Sequence, residues 1–431
     1  MPRTTPAPLA AASTSRRPAP PAGAAATPFR TVFLIWLGWA VVMLGFQAWS
    51  LSRFAPDRPD SVFDWTETWT NDDSAARHPY LQNPLLNGHT AWDSEFYISI
   101  ALYGYDDPAM RAASPDSTAD AEIAAPKHEH PTWISLNHAF LPGYPYAMAL
   151  IARPLAATGV QPVAAAAIAG VIVSLAGALA AMLAIADLAR GDAAEKTRAA
   201  FYLAIWPAAA FLAQVYSEGM FLGLSFGALA MLRRDRWGWA AGLAAAAVFT
   251  RATGFLLVIP FGWAWLFGGG PRSIPRAVLA LVPLGAYLVW RLLFGHDFDF
   301  VETHYFGRWP LALAQSWDAW KDFANDLLTA DADTRAYDLV ELAGIVASLA
   351  TSALYWRRDP ALMLYGLAAF AVIVTSGAAL GMHRYALGMP ALFLAPAMLG
   401  RFTAFDRVWT IACALGLGAL TMLFSFGFWA G

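Results

Sequence analysis

Twelve apolar runs of helical length divide this chain of 431 residues and leave it few possible folds. They lie near 31–50, 139–156, 161–188, 199–215, 219–232, 237–250, 254–268, 277–294, 337–355, 361–380, 386–400 and 408–430. A run of about 20 apolar residues can cross the hydrocarbon core of a bilayer as a helix, which satisfies its own backbone polar groups. Only 14% of the residues are charged, against roughly 25% in soluble domains. Most of the chain therefore belongs in lipid.

Loop charge then orders the crossings, because short loops rich in Lys and Arg face the cytoplasm. The basic clusters are Arg190/Lys196/Arg198, Arg233/Arg234/Arg236, Arg272/Arg276, Arg357/Arg358 and Arg401/Arg407, with Arg3, Arg16, Arg17 and Arg30 near the start. All of them fall on one side only if the run 139–156 does not cross. That run contains Pro142, Gly143, Pro145 and Pro154, a poor sequence for an uninterrupted span. It reads as a re-entrant or surface helix. The expectation is an all-α polytopic membrane protein with about 11 transmembrane helices. Residues 51–160 then form a large first extracytoplasmic loop carrying interfacial helices. Residues 1–28, rich in Pro, Ala, Thr and Arg, read as a disordered cytoplasmic tail, and 29–431 as the membrane domain. The run 31–50 exceeds a signal-peptide core and lacks a small-residue cleavage site after it, so it reads as an anchor.

Composition also excludes partners. A net charge of -3 with no basic face argues against nucleic acid. The single cysteine, Cys413, rules out an internal disulfide and any Cys-rich metal site.

In this arrangement the outer segments carry the polar chemistry. They are the first loop, Tyr216-Ser217-Glu218, Thr250-Arg251-Ala252-Thr253, Met382-His383-Arg384-Tyr385 and the loop 295–336. Within the first loop, Trp92, Phe96, Ile100 and Tyr103 share one side of a predicted helix. Trp and Tyr favour the membrane boundary, which places Asp93 just outside the bilayer. Asp93 reads either as a helix N-cap or as a general base that takes a hydroxyl proton in glycosyl transfer. Glu95 lies on the opposite helix side and is the weaker candidate. Glu218 reads as a solvated helix end or as a group that positions a substrate. Arg251 and Arg384 stand on the outer side against the positive-inside tendency. Each either snorkels to headgroups or binds a phosphate with its forked donors. His383 and Tyr385 add donors beside Arg384, and His304 with Arg308 at i+4 can line the same pocket. His128-Glu129-His130 and the His/Asp residues of 295–336 show no recognised ligand spacing, so no metal site is expected. Asp187, Arg291, Asp338 and Glu341 read as helix-end charges, which counts against an ion-coupled transporter with ionisable groups at the midplane.

Five ordered motifs resemble the PIG-V-type mannosyltransferases, which belong to the GT-C class of membrane glycosyltransferases. The first is Trp92-Asp93-Ser94-x-x-Tyr97-x-x-Ile100-Ala101-x-x-Gly104-Tyr105. Phe140-Leu141-Pro142-Gly143-Tyr144-Pro145 is similar to the family's FFPLYP stretch, and Trp206-Pro207 through Val215-Tyr216-Ser217-Glu218 to its FP…AVY(S/T)E segment. Thr250-Arg251-Ala252-Thr253-Gly254 is similar to its TR-x-TG turn, and His383-Arg384-Tyr385 to its late PRY. The sequence departs from the pattern at Gly143, Ala252 and His383.

The resemblance implies Asp93 as catalytic base, Glu218 as a second acidic site and inversion of configuration. It also implies a polyprenyl-phosphate sugar donor, mannose for preference, and no required metal or other cofactor. Arg384, His383, Arg251 and His304 would then hold the donor phosphate, with Glu95, Trp92 and Tyr97 positioning substrate. The acceptor, whether lipid, glycan or protein, is left open. The Ala/Arg-rich style of the chain suggests a bacterial inner membrane with the site facing outward, so no GPI acceptor follows. The alternative reading is a lipid or polysaccharide-precursor transporter whose loop aromatics grip a headgroup; a non-catalytic scaffold is the third.

Overall fold

Residues 28–54, 81, 83–107, 110–113 and 133–431 are described by the computed structural model. The tail expected over 1–28, except for its last residue, lies outside them, as do His128-Glu129-His130 and most of the acidic stretch between Asp57 and Glu129.

The apolar runs become helices of differing length. In chain order come α1 (Phe29–Arg53), the short α2 (Pro84–Asn87), α3 (Ser94–Tyr103), α4 (Gly143–Ala157), α5 (Pro162–Leu188) and α6 (Ala193–Ile205). Then follow α7 (Glu218–Arg233), α8 (Trp237–Thr250), α9 (Val258–Phe267), α10 (Ile274–His304), α11 (Leu313–Thr329) and α12 (Ala332–Tyr355). The last are α13 (Pro360–Val374), the single turn α14 (Met382–Tyr385), α15 (Ala391–Leu399) and α16 (Thr403–Ser425). The exception to the all-α expectation is a short antiparallel ladder, β1 (Arg111–Ala113) with β2 (Trp133–Ser135), which sets Ala112 opposite Ile134.

Among the described residues, five helices are long and apolar enough to cross a membrane: α1, α5, α10, α12 and α16. A sixth is reached if the 3-10 stretch Pro207–Ala213 and α7, bent by 101°, count as one span. Other apolar runs are shorter or broken. Pro207 ends α6 because it cannot donate to the helix and pushes Trp206 into extended backbone, with φ -56 and ψ 138. The expected loop 295–336 is mostly helical, since α10 runs on to His304 and α11 covers Leu313–Thr329.

Lipid is as apolar as a leucine core, so helices in a membrane associate through close packing of small residues. The pairing of α5 with α7 shows this. A Cβ added at Gly177 would fall 2.3 Å from the carbonyl carbon of Gly219, and one at Gly219 would fall 2.3 Å from the Ser174 carbonyl oxygen. Neither position admits a side chain. Around them Ala165, Ala166, Ala167, Ala169, Ala178 and Ala181 of α5 are fully buried.

Two charged ends result. Helix α7 begins at Glu218 and ends at Arg233, so its rise of about 1.5 Å per residue separates these residues by roughly 22 Å along the axis. At the Arg233 end, Arg190 and Arg233 share Asp359, Arg234 pairs with Asp187, and Arg358 pairs with Glu195. The basic clusters of three separate loops thus meet there. At the Glu218 end another set of charges converges.

Candidate functional site

The residues at the Glu218 end are delivered by interruptions in helices. Asp93 occupies the N-cap position of α3, but its side chain makes no capping hydrogen bond. Its Oδ2 instead accepts from Arg384 Nη1 at 3.1 Å. The Asp93 backbone N–H donates to the Tyr216 hydroxyl at 3.2 Å. The expected aromatic face of α3 is not realised. Trp92 precedes the helix with φ 55, Phe96 is fully buried, and Tyr103 is 59% exposed.

Glu218 opens α7 after the elbow Gln214–Ser217. It is 3% exposed, so it is not the solvated helix end of the alternative reading. Its Oε1 accepts from Arg251 Nη1 and lies 3.6 Å from Arg384 Nε. Its Oε2 has no hydrogen-bond partner among the described residues. A carboxylate in a first helical turn also gains from the helix dipole.

Arg251 reaches this point because the chain leaves α8 in extended backbone, φ -147 and ψ 135. The N-terminus of α4 presses on the same place. A Cβ at Gly143 would meet the Phe249 carbonyl oxygen at 2.7 Å, which accounts for glycine at that departure from the family pattern.

Arg384 lies on α14, whose start is fixed by Glu341 in the body of α12. Glu341 is fully buried. Its Oε1 accepts from the Gly381 N–H at 2.6 Å and from the Tyr337 hydroxyl at 2.5 Å; its Oε2 accepts from the His383 N–H at 3.0 Å. Gly381 adopts φ 76, the left-handed region open to glycine. Glu341 is therefore not a helix-end charge, as its sequence position suggested. It is an anion bound by backbone donors, which suits a fixed structural role.

Tyr385 draws three guanidiniums together. Arg251, Arg308 and Arg384 lie 5.1, 5.2 and 5.0 Å from its ring centre. Its hydroxyl accepts from Arg308 Nη1, and from Arg384 Nη2 at 3.2 Å. Burial alone would raise the phenol pKa, but Arg308, then Arg384 and Arg251, more than offset it and hold it below the ordinary value.

Beside this cluster lies a small cavity of about 20 Å³. Glu218, Arg251, Arg384 and Tyr385 form its polar end, while Phe221, Leu222, Ala369, Ile373 and Leu387 form an apolar wall. A charged end beside an apolar wall matches the polarity of an amphipathic ligand.

Of the residues singled out in the sequence, Asp93, Glu218, Arg251 and Arg384 meet in one network. Tyr97 supports it by donating to Ser217 Oγ at 3.0 Å. His383 turns away: its Nδ1 lies 3.0 Å from Glu341 Oε2 and its Nε2 2.9 Å from the Ala430 carbonyl oxygen. His304 is exposed, with its ring stacked on Phe300 at 4.3 Å. Trp92 donates to the Phe428 carbonyl at 3.3 Å and packs edge-on against Trp429. Glu95 is buried within α3. No group of three or more His, Cys, Asp or Glu among the described residues is arranged to hold a metal ion.

The sequence alone gave Tyr385, Arg308 and Glu341 too little weight. Arg308 and Tyr385 each stand beside a residue that was singled out, and a glutamate within an apolar run is itself a functional signal.

The family model "Mannosyltransferase (PIG-V)" matches residues 121–261, a stretch that includes Glu218 and Arg251. GPI alpha-1,6-mannosyltransferase 2 of Cricetulus griseus is 31% identical over 179 residues, covering 40% of this chain and 30% of that protein. The Mus musculus protein is 31% identical over 169 residues, with 38% and 28% covered. The Rattus norvegicus protein is 31% identical over 185 residues, with 41% and 32% covered. The resemblance to the PIG-V mannosyltransferases therefore holds, over a match spanning about a third or less of those relatives' length. Among solved structures, the archaeal oligosaccharyltransferase AglB of Archaeoglobus fulgidus, in complex with an inhibitory peptide and a dolichol-phosphate, gives a TM-score of 0.44 at 15% identity. That likeness covers 94% of this chain and 57% of the other.

Proposed function

We propose that this chain is an integral membrane glycosyltransferase of the GT-C type. It transfers a sugar, mannose by the family resemblance, from a polyprenyl phosphate to an acceptor hydroxyl. The observation that carries the reading is Arg384, which joins the carboxylates of Asp93 and Glu218 beside a cavity with a charged end and an apolar wall. A lipid phosphate has the same polarity. In this reading the eleven crossings place the cluster on the extracytoplasmic side of a bacterial inner membrane, beneath the first loop.

The chemistry follows from the placement. Arg384 and Arg251 hold the donor phosphate. By competing for Arg384, that phosphate loosens the ion pair between Arg384 and Asp93. The acceptor hydroxyl loses its proton to Asp93 as its oxygen attacks the anomeric carbon from the face opposite the phosphate. The bond from that carbon to the phosphate oxygen breaks with inversion, and its electron pair stays on the phosphate. Glu218 Oε2, without a hydrogen-bond partner among the described residues, accepts a substrate hydroxyl. No metal or other cofactor enters these steps.

Transfer of labelled mannose from polyprenyl-phosphate mannose into membrane acceptors, compared between wild type and Asp93→Asn at matched expression, tests the reading. Removing a general base costs about 10²–10⁴ in rate, while donor binding should persist. Equal transfer by both proteins would remove Asp93 as the base. Lipid flux without a new glycosidic bond would support transport instead.

A further inference from the structure

The residues just before Asp93 and Arg384 are tied to one short strip of chain. Helix α16 runs out into a left-handed glycine, Gly427, with φ 76. The Gly427 N–H donates to the Phe424 carbonyl at 3.0 Å, and the Phe428 N–H to the Leu423 carbonyl at 2.9 Å. This pair of bonds is the termination that glycine permits at a helix end. It turns residues 428–430 back against the site.

Each residue of the strip then makes its own tie. The Phe428 carbonyl accepts from Trp92 Nε1 at 3.3 Å. The Trp429 ring meets the Trp92 ring edge-on, with centroids 5.0 Å apart, and its Nε1 donates to the Tyr337 hydroxyl at 2.8 Å. The Ala430 carbonyl oxygen lies 2.9 Å from His383 Nε2. Trp92 precedes Asp93, and His383 precedes Arg384. Tyr337 extends the second tie, because its hydroxyl donates to Glu341, which holds the Gly381 and His383 N–H groups.

A second observation points to the same place. Trp92 has φ 55, a left-handed backbone that is a genuine outlier for a bulky side chain. Strain of this kind persists only where the surroundings fix it. The contacts of its ring with Phe428 and Trp429 do so, and Asp93 is the next residue.

We infer that Trp429 is a positioning residue that sets Asp93 against Arg384, through Trp92 on one side and Tyr337 on the other. The inference rests on the reading of Asp93 as base and Arg384 as phosphate ligand. Among the described residues, the Asp93 carboxylate takes its hydrogen bond from Arg384 alone. Once the donor phosphate engages Arg384, that bond no longer locates the base. The tie through Trp429 does, and it keeps the carboxylate aimed at the acceptor hydroxyl.

Kinetics of mannose transfer from polyprenyl-phosphate mannose by the full chain separate the two arms. Trp429→Phe keeps a ring against Trp92 but loses the donor to Tyr337. Donor KM should rise about three- to tenfold, as for one lost hydrogen bond, with kcat within about twofold of wild type. Trp429→Ala removes both arms and should also lower kcat by about 10- to 100-fold, as for a base misplaced by about 1 Å. Tyr337→Phe cuts the same link as Trp429→Phe, so the double variant should match Tyr337→Phe within about twofold in KM. Trp429→Ala with wild-type kcat, Trp429→Phe as slow as Trp429→Ala, or additive effects on KM in the double variant would each overturn the inference and leave the donor reading intact. If Trp429→Ala does not fold, Trp429→Phe and Tyr337→Phe decide by themselves. Wild type that transfers no mannose overturns both.

Discussion

Replacing Glu218 by Gln tests whether the site is a charge network whose parts depend on one another. The glutamine keeps the shape and one acceptor oxygen but removes the anion between Arg251 and Arg384. Glu218 lies 3.6 Å from Arg384 Nε and accepts directly from Arg251. At an effective dielectric of about 20, a unit pair at that distance attracts by about 5 kcal/mol. Much of this only offsets the desolvation of buried charges. The measurable quantity is the cost of breaking such a pair, about 3–5 kcal/mol. The variant should therefore unfold at a clearly lower temperature in detergent, followed by tryptophan fluorescence. Millimolar inorganic phosphate should restore more stability to Glu218→Gln than to wild type, because an added anion can replace the missing one. The double variant Glu218→Gln/Arg251→Gln should be less destabilised than the sum of the single changes, by more than about 0.5 kcal/mol. A single variant as stable as wild type, or phosphate that stabilises both proteins alike, would refute the reasoning.

Two further changes test the support of the site. Gly219→Ala puts a methyl group 2.3 Å from the Ser174 carbonyl oxygen; overpacking of this kind costs about 1–3 kcal/mol, whereas Gly238→Ala, with nothing within 4 Å, should leave the unfolding temperature unchanged. Glu341→Gln turns an amide N–H₂ toward the donors of Gly381, Tyr337 or His383, at a cost of about 1–3 kcal/mol for an unsatisfied buried group. Donor KM should rise with it because Arg384 follows His383 in the chain; an unchanged KM would separate Glu341 from the site.

The membrane-helical character of the chain was legible because its period and length are written in apolar residues. Asp93, Glu218, Arg251 and Arg384 were legible too, since charge parity alone brings their segments to one side. The details that failed share a cause. Trp92 and Tyr103 were assigned to one helical face, but the helix starts only at Ser94 and a positive φ at Trp92 rotates that ring out of register. His304 looked suitable by its spacing to Arg308, yet the helix ends at His304 and the turn after it carries the two side chains apart. Spacing assumes an unbroken helix, and it fails where one ends.

The same breaks explain why the site exists at all. Asp93 precedes a helix, Glu218 begins one after an elbow of 101°, Arg251 leaves one in extended backbone, and Arg384 lies on a four-residue turn after a left-handed glycine. In an apolar bundle a continuous helix satisfies its backbone internally and points its side chains at lipid or at neighbours. An interrupted one brings unpaired backbone groups and polar side chains to the same depth, where they must find partners. Buried Glu341, bound by two backbone N–H groups, and the Tyr216 hydroxyl, bound by a third, are those partners. Polar residues beside Pro, Gly or a switch in helical register are thus the sequence signal for such a site. By that criterion Arg308, one residue after Gly307 and two before Pro310, stands beside Arg384 and Arg251.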